Sequence, residues 1–248
     1  MGNELTDRNF WANYWESKEG LAFKVSAHYT FHKLLKEILG NKEIKTAIEL
    51  GGFPGYYAIF LKKYFGLDTS LFDFYIHPST LKQVLAANDL QEKDIEVIEG
   101  DLFSYSPKNL YDLVLSCGLI EHFNDTKDII ARHAAFLKPG GTLFITLPNF
   151  TGVNGWLQRK YDPENYSKHN IDSMNPQLLA DYCKALGLKN VKSGYYGKFS
   201  IWLENKAQQP SSVKVFFKGL WLAGKIATKI IPVDSKRLSP YIVVTATK

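Results

Sequence analysis

The segment TAIELGGFPGYYAIFLKKYFG, residues 46–66, decides the fold class of this chain. Its first seven residues form a β-branched and apolar run that ends in glycines, which is typical of a strand that turns into a helix. The rest of the segment places apolar residues at helical spacing. A strand followed directly by a helix is the start of a strand–helix–strand unit, the building block of parallel sheets. The segment therefore predicts an α/β protein.

The same alternation continues beyond this segment. Further strand patterns occupy residues 68–76, 94–101, 111–119, 142–149, 189–197 and 240–247. Helical patterns occupy residues 78–88, 126–138, 175–187 and 213–231, with Pro139 stopping the second of them. We expect a Rossmann-like, doubly wound sheet that is mostly parallel and has an antiparallel C-terminal strand. N-terminal helices precede this sheet, and a late helical insertion interrupts its final strands.

The length of 248 residues is suited to one large α/β domain. We predict a single domain built from three parts. Residues 1–45 form an N-terminal helical lid, residues 46–150 form a ligand-binding core, and residues 151–248 form a substrate-side region with the final strands.

Composition narrows the class of protein. The net charge of +5 is mild and the lysines are spread along the chain, which disfavours a nucleic-acid binder. Two cysteines are too few for a disulfide framework or a cysteine-based zinc site, so reducing conditions and a cytoplasmic location are expected. The first twenty residues are polar and aromatic, unlike a signal peptide.

Chemically suggestive residues follow the predicted strands in order. In an open α/β sheet the carboxyl ends of the strands border the ligand-binding crevice. The glycine-rich loop ELGGFPG, residues 49–55, allows close approach of the backbone to a ligand. Asp73 after the second strand can accept both hydroxyls of a ribose. Asp101 after the third strand can accept a hydrogen bond from an adenine amino group while Leu102 covers the ring.

With two further motifs, YDLVLSCGLIEH at residues 111–122 and LKPGGTLFIT at residues 137–146, the chain resembles class I S-adenosylmethionine-dependent methyltransferases. It is most similar to the broad group that includes ubiquinone and menaquinone biosynthesis enzymes, over about residues 45–150. Glu49, Gly51 and Gly55 match the family motif E/D-x-G-x-G-x-G. Phe53 stands where the middle glycine usually lies.

The resemblance implies a cofactor, S-adenosylmethionine, with S-adenosylhomocysteine as its product. It also implies contacts for each part of that cofactor: the loop after the first strand holds the methionine part, Asp73 holds the ribose, and residues 116–119 form the floor near the sulfonium. The implied cofactor-binding residues are Glu49, Gly51, Gly52, Phe53, Gly55, Asp73, Phe74, Asp101, Leu102, Ser116, Cys117 and Gly118. Residues 138–141 would form a turn into the fifth strand.

Methyl transfer is an in-line displacement in which alignment supplies most of the acceleration. A general base is needed only when the acceptor loses a proton. Glu121, His122 and His169 are the candidates. For His122 the alternative is packing beside the cofactor, and for His169 it is a solvated loop position.

Aromatic residues of the N-terminal region are candidates for a cover over the cofactor. In the resembled family the N-terminal helices often close the site, which makes Tyr14, Trp15, Phe23 and the pair His28–Tyr29 relevant. Core packing between helices is the alternative for each of them.

Several reactions are disfavoured by motif. The fourth strand ends in SCGL, without the prolines of base-amino methyltransferases, and no proline precedes Cys117 as in cytosine C5 enzymes. No His/Cys/Asp cluster has metal-ligand spacing, so we predict no metal.

The late helical stretch, residues 213–231, has a distinctive pattern. Lys214, Lys218, Lys225 and Lys229 are spaced by 4, 7 and 4 residues and share one stripe of an otherwise apolar helix. Charge interrupts the stretch too often for a bilayer span. Three alternatives stay open: a membrane surface, packing on a neighbouring helix, or a second subunit in a homodimer.

We therefore expect an enzyme that methylates an O, N or C atom of a small-molecule or lipid-linked acceptor. Two alternatives remain from the sequence. One is a cofactor-binding but non-catalytic partner or sensor protein, since fold alone does not establish turnover. The other is an RNA or protein methyltransferase, which the modest charge disfavours.

Overall fold

A computed structural model describes residues 4–40, 43–230 and 233–248. Its seven strands form one sheet in the order β3-β2-β1-β4-β5-β7-β6. The strands are β1 (Thr46–Leu50), β2 (Asp68–Asp73), β3 (Glu96–Glu99), β4 (Tyr111–Cys117), β5 (Leu137–Pro148), β6 (Lys189–Tyr196) and β7 (Tyr241–Thr247). The strands β1 to β5 pair in parallel, whereas β7 is antiparallel to both β5 and β6. This topology confirms the predicted mostly parallel sheet with an antiparallel C-terminal strand.

Helices precede, connect and follow the strands. They are α1 (Arg8–Glu16), α2 (His32–Gly40), α3 (Tyr56–Phe65), α4 (Pro78–Ala87), α5 (Thr126–Ala135), α6 (Val153–Tyr161), α7 (Pro163–Ser167), α8 (Pro176–Ala185) and α9 (Ser211–Ile230). The predicted N-terminal lid and late helix extend into residues 1–3, 41–42 and 231, which lie outside the described residues. No helix in the described part of the chain combines the length and the hydrophobicity needed to cross a membrane.

Two local predictions differ from the structure. The fifth strand begins at Leu137 rather than at residue 142, and the predicted turn at residues 138–141 lies within it as a bulge, where the β4–β5 pairs jump from Tyr111–Leu137 to Leu113–Thr142 and Gly140 has φ 78°. The reason is pairing with the C-terminal residue: the Gly140 amide donates to the Lys248 carbonyl (2.9 Å), and the Lys248 amide donates to the Gly141 carbonyl (3.0 Å). The segment between β5 and residue 175, for which the sequence predicts neither a helix nor a strand, contains the short helices α6 and α7, with Pro163 opening α7.

The core lies on both faces of the sheet. Successive residues of β4 point to opposite faces, so Val114 packs in one hydrophobic cluster while Leu113 and Leu115 pack in the other. The central strands β1, β4 and β5 are therefore almost fully buried. This burial fixes the carboxyl ends of the parallel strands at one edge of the sheet, where the cavity described next opens.

Candidate active site

One cavity, of about 400 Å³, lies at the carboxyl ends of the parallel strands. This volume falls in the range of small-molecule sites in proteins. Three groups of residues surround it: the ends of β1 to β5 with the segments that follow them, the N-terminal region with α1 and Tyr29, and a later group made of Asn165, Lys168, His169, Trp202 and Glu204. The cavity thus has a wall made of strand ends and a second wall made of later segments, with α1 above both. Of the predicted cofactor residues, those that line it are Glu49, Gly51, Gly52, Phe53, Asp73, Phe74, Asp101, Leu102, Cys117 and Gly118.

The loop after β1 is organised around Glu49. Its Oε2 accepts a hydrogen bond from the Ala58 amide (2.7 Å) in the first turn of α3, and burial raises the pKa of Glu49 to about 8. Gly51 has a left-handed backbone (φ 59°) that favours glycine. A Cβ at Gly52 would overlap the Glu49 side chain. The predicted Gly55 does not line the cavity; it precedes α3 with φ 92°.

Asp73 joins the loops after β1 and β2. Its Oδ2 accepts a hydrogen bond from the Phe53 amide (2.8 Å), and its Oδ1 accepts one from the Tyr75 amide (3.2 Å). Burial raises the pKa of Asp73 to about 6, although these backbone amides favour the charged form. Each carboxylate oxygen has a second lone pair that a ligand hydroxyl can use.

Asp101 and Leu102 follow β3 as predicted and line the same cavity. The Phe103 amide donates to Asp101 Oδ1 (2.9 Å), which fixes the carboxylate beside the start of the loop. Leu102 is buried and packs in the core cluster that includes Phe72. The pair presents a carboxylate next to an apolar surface, which is the combination expected around an adenine ring.

The end of β4 differs from the prediction at one residue. Cys117 and Gly118 line the cavity, but Ser116 points away from it and is fully buried. His133 Nδ1 lies 2.7 Å from the Ile129 carbonyl, which only accepts, so Nδ1 carries the proton. The Ser116 hydroxyl therefore donates to His133 Nε2 (2.8 Å). Ser116 thus has a structural partner on α5.

Two histidines face each other across the cavity wall. His122 Nδ1 lies 3.0 Å from the Lys168 carbonyl, and His169 Nδ1 lies 2.7 Å from the Asn165 carbonyl. Carbonyl oxygens only accept, so both Nδ1 atoms carry protons and both Nε2 atoms keep a free lone pair. Burial lowers the pKa of His122 to about 3 and also lowers the pKa of His169. Both rings are therefore neutral near pH 7.

Glu121 lies behind these histidines and does not line the cavity. It is buried, its Oε2 has no hydrogen-bond partner among the described residues, and burial raises its pKa to about 8. Potential ligand atoms of Glu121, His122 and His169 lie within 4.8 Å of one another. Spacing in the sequence did not indicate this cluster, because the fold brings His169 back to the end of β4. The absence of a metal from the site stays a prediction.

The helix α1 covers the cavity with aromatic rings. Trp11, Tyr14 and Trp15 line it. The Trp11 ring lies edge-on to His122 (5.1 Å between centroids), and Trp15 lies edge-on to Phe53 (5.2 Å). The expected covering role therefore applies to Tyr14 and Trp15.

The other N-terminal aromatics are placed differently. Phe23 does not line the cavity and packs against Tyr56 (4.6 Å between ring centroids). Tyr29 lines the cavity, whereas its neighbour His28 does not. Thus only some of the N-terminal aromatic residues that were predicted to cover the cofactor line the cavity.

Two residues of the second wall were missed by the sequence analysis. Trp202 stacks on Tyr241 (5.7 Å between centroids), and Glu204 accepts hydrogen bonds from Lys18 (2.9 Å) and Tyr14 (3.3 Å). They lie in a stretch without periodicity, so no local pattern placed them. Glu204 also links the covering helix region to the second wall.

The lining is rich in acidic side chains. They belong to Glu4, Glu49, Asp73, Asp101 and Glu204, of which Glu49, with its pKa of about 8, is mostly protonated near pH 7. The lining contains one lysine, Lys168, whose ammonium group pairs with Glu164 (2.8 Å). A cavity with this excess of carboxylates favours a ligand with cationic groups.

Comparisons with known proteins identify the family. A family model described as a methyltransferase domain matches residues 24–193, more than half of the chain. No curated protein matches the chain significantly by sequence. Among solved structures, phosphoethanolamine N-methyltransferase 2 of Haemonchus contortus, in complex with phosphomonomethylethanolamine and S-adenosylhomocysteine, has a TM-score of 0.59 at 19% identity over 87% of this chain and 51% of that chain.

Two further structures show the same fold. An O-methyltransferase family protein of Burkholderia thailandensis has a TM-score of 0.55 at 16% identity over 87% of this chain and 55% of that one. A SAM-dependent methyltransferase of Archaeoglobus fulgidus has a TM-score of 0.53 at 17% identity over 87% and 94% of the two chains. The chain spans about half the length of the Haemonchus and Burkholderia proteins. The chain belongs to the methyltransferase domain family, and its fold is that of class I S-adenosylmethionine-dependent methyltransferases.

Proposed function

We propose that this methyltransferase binds S-adenosylmethionine in the cavity at the strand ends and methylates an O, N or C atom of a small-molecule or lipid-linked acceptor. One observation carries the proposal: Glu49, Asp73 and Asp101, from the ends of three neighbouring parallel strands, line the same cavity. Side chains from successive strands converge in this way where an α/β sheet binds a nucleotide-like ligand.

The residues present fit the proposed cofactor. S-adenosylmethionine carries a sulfonium and an ammonium group, which match the negative lining. Asp73 accepts the ribose hydroxyls through the lone pairs that the backbone amides leave free. Asp101 and Leu102 hold the adenine. The loop with Gly52, which leaves room only for a residue without a Cβ, receives the methionine part.

The remaining cofactor contacts are assigned by position. Gly51 and Phe53 border the methionine part, and Phe74 lies beside Asp73. Cys117 and Gly118 form the floor near the sulfonium. Ser116 and Gly55 support this site from behind the lining. We propose no metal ligand among these residues.

We assign the proton-accepting role to His169 for acceptors that lose a proton. The bound cofactor supplies an activated methyl group. Methyl transfer to the acceptor would release S-adenosylhomocysteine, and His169 Nε2 would take the proton that the acceptor loses. His169 is half-buried at the cavity wall, whereas His122 is buried with a pKa of about 3, which makes it a weak base near neutral pH. His122 positions His169 through ring contact (4.8 Å between centroids). Glu121, which lies outside the lining, supports the loop by accepting the Asn170 amide at its carbonyl (2.6 Å).

We also propose that the three predicted parts act as one domain. Two observations support this: α1 of the lid region lines the cavity, and β6 and β7 of the substrate-side region complete the sheet of the core. The cytoplasmic location and the homodimer expected from the sequence stay predictions.

The test is methyl transfer from cofactor labelled at its methyl group. Purified full-length protein is incubated with three acceptor pools: aqueous small molecules, a lipid extract, and RNA with protein. We expect label in the first or second pool, and loss of that label in Asp73→Asn. Label only in RNA or protein would contradict the acceptor class. Cofactor binding without label in any pool would instead favour the non-catalytic sensor.

A further inference from the structure

The helix α9 is attached to the protein through one narrow face. Phe217 and Thr228 are buried, and Phe217 packs in a small cluster with Leu157 and Leu203. A Cβ at Gly224 would overlap the Phe199 ring, so the helix lies close to the segment that follows β6. The apolar residues of α9 that the rest of the protein buries all lie on this face.

The opposite face of α9 is also apolar and is exposed. At about 100° per residue, residues 213–230 leave an arc of about 120°, running from Leu222 through Ile226 to Phe216, that contains no polar side chain and lies roughly opposite the buried Phe217 and Thr228. The large residues on this arc are exposed to the following extents: Val215 71%, Phe216 42%, Leu222 55%, Ile226 53% and Ile230 75%. A helix on the surface of a globular protein normally turns its polar residues outward. The outward face of α9 thus has the composition of a buried surface.

All four lysines lie on one flank between these two faces. Lys214, Lys218, Lys225 and Lys229 fall about 60–120° from Phe217 around the helix. The sequence contains no Asp or Glu from residue 205 to residue 233. Among the described residues, none of these lysines forms an ion pair with a carboxylate. The exposed Trp221 adjoins this flank, with the Lys225 ammonium 5.7 Å from its ring centroid.

The distribution of charge on α9 indicates whether its exposed face binds a second copy of the chain or a lipid bilayer. A second copy of the chain would bring another four lysines and no carboxylate from its own α9. A bilayer with anionic headgroups supplies acyl chains for the apolar arc and negative charge for the lysine flank. Lys218 and Lys229 reach the headgroups along their apolar stems, while the Lys214 and Lys225 ammonium groups also donate to the Ala207 and Phe199 carbonyls (2.8 and 3.1 Å). Tryptophan beside lysines is likewise typical of the membrane–water interface.

We propose that α9 lies in the surface of an anionic lipid bilayer and holds the protein there. The attachment does not depend on the cofactor. If the proposed function is correct, this attachment also bears on the acceptor. Leu203 packs against Phe217 of α9, and its neighbours Trp202 and Glu204 line the cavity. The second wall of the cavity is thereby held next to the bilayer, which favours the lipid-linked class of acceptor.

The test is flotation of the full-length protein with phosphatidylcholine vesicles, with and without about 30% phosphatidylglycerol. We expect flotation with the anionic vesicles and much weaker flotation with the neutral ones. The double variant Leu222→Gln/Ile226→Gln should lose more than about tenfold in vesicle affinity, because it removes apolar surface from the arc. Both side chains are more than half exposed, so folding is unaffected. Val97→Gln/Leu110→Gln, at exposed apolar positions elsewhere, is the matched control.

A second set of variants tests the lysine flank by reversing its charge. Lys218→Glu/Lys229→Glu should lower the affinity for anionic vesicles by more than about 25-fold, at about fivefold for each lysine. Lys93→Glu/Lys127→Glu, on exposed positions away from α9, should leave it within about threefold of wild type. Absence of wild-type flotation with anionic vesicles would overturn the proposal. So would a dimer in sedimentation velocity that Leu222→Gln/Ile226→Gln dissociates, since the occupant would then be a second copy. Cofactor titration of the same samples separates these failures from a failure of the proposed function.

Discussion

The two walls of the cavity are held by different forces. On the strand-end wall, Glu49, Asp73 and Asp101 each accept a hydrogen bond from a backbone amide, at 2.7–2.9 Å. On the second wall, Trp202 and His169 are held by ring contacts and by carbonyls of short helices. Backbone geometry is set by the sheet and is the same for any acceptor. Side-chain packing is set by the particular sequence, and we therefore propose that the second wall selects the acceptor.

The largest expected effect concerns the second wall. His169→Gln should lower kcat about 10²-fold, because the proton acceptor is removed while the ring position stays filled by a polar side chain. The affinity for the cofactor should stay unchanged, since the residue belongs to the other wall. The measurement is steady-state kinetics with the acceptor identified from the labelled pools. His28→Gln, outside the cavity, is the control; equal kcat in all three proteins would remove His169 from the mechanism.

The next effect concerns the strand-end wall. Asp73→Asn should weaken S-adenosylmethionine binding by about 1.5–3 kcal/mol, roughly 10–150-fold, because a charged acceptor for the ribose hydroxyls is lost. Calorimetric titration measures this change. Asp68→Asn is the matched control, because Asp68 begins the strand that Asp73 ends and lies at the far edge of the sheet. Unchanged affinity in Asp73→Asn would mean that the ribose contact is misassigned.

A third effect tests how closely the loop is packed. Gly52→Ala should lower the free energy of unfolding by about 1–3 kcal/mol, because its Cβ overlaps the Glu49 side chain and displaces the bond to the Ala58 amide. Thermal unfolding followed by circular dichroism is the measurement. Gly194→Ala, where a Cβ meets no atom within 4 Å, should change stability by less than about 0.5 kcal/mol. Equal stability of the two variants would argue against the tight loop.

The smallest effect is a dependence of affinity on pH. The pKa of Asp73 is raised to about 6. Nearly all Asp73 side chains are therefore ionised at pH 7.5 and can accept the ribose hydroxyls, whereas most become protonated as the pH falls below 6. Affinity for the cofactor should therefore fall about fourfold between pH 7.5 and pH 5.5. Titrations at several pH values measure it, and the dependence should disappear in Asp73→Asn. An affinity that rises on acidification would contradict the assignment.

The strand-end wall was largely predictable from the sequence. Strand periodicity located β1 to β4, and the segments that follow the carboxyl ends of parallel strands border the crevice, as Asp101 does two residues after β3. The exceptions follow from alternation along a strand: Ser116 precedes the strand end by one residue and points to α5 instead. Gly55 directly precedes α3 and does not line the cavity.

The second wall was not predictable in the same way. His169, Trp202 and Glu204 come from short helices and loops whose positions depend on contacts between distant residues, such as Glu204 with Lys18. No local period encodes such contacts. For α9 the lysine stripe was visible in the sequence, but which apolar residues face outward became clear only when Phe217 and Thr228 were found buried.

The central claim is that the strand-end wall binds S-adenosylmethionine. Calorimetric titration of the purified protein with S-adenosylmethionine and with S-adenosylhomocysteine tests it most directly. We expect binding of both ligands in the micromolar range, with a stoichiometry of one per chain. Binding of neither ligand to a folded protein would contradict the claim.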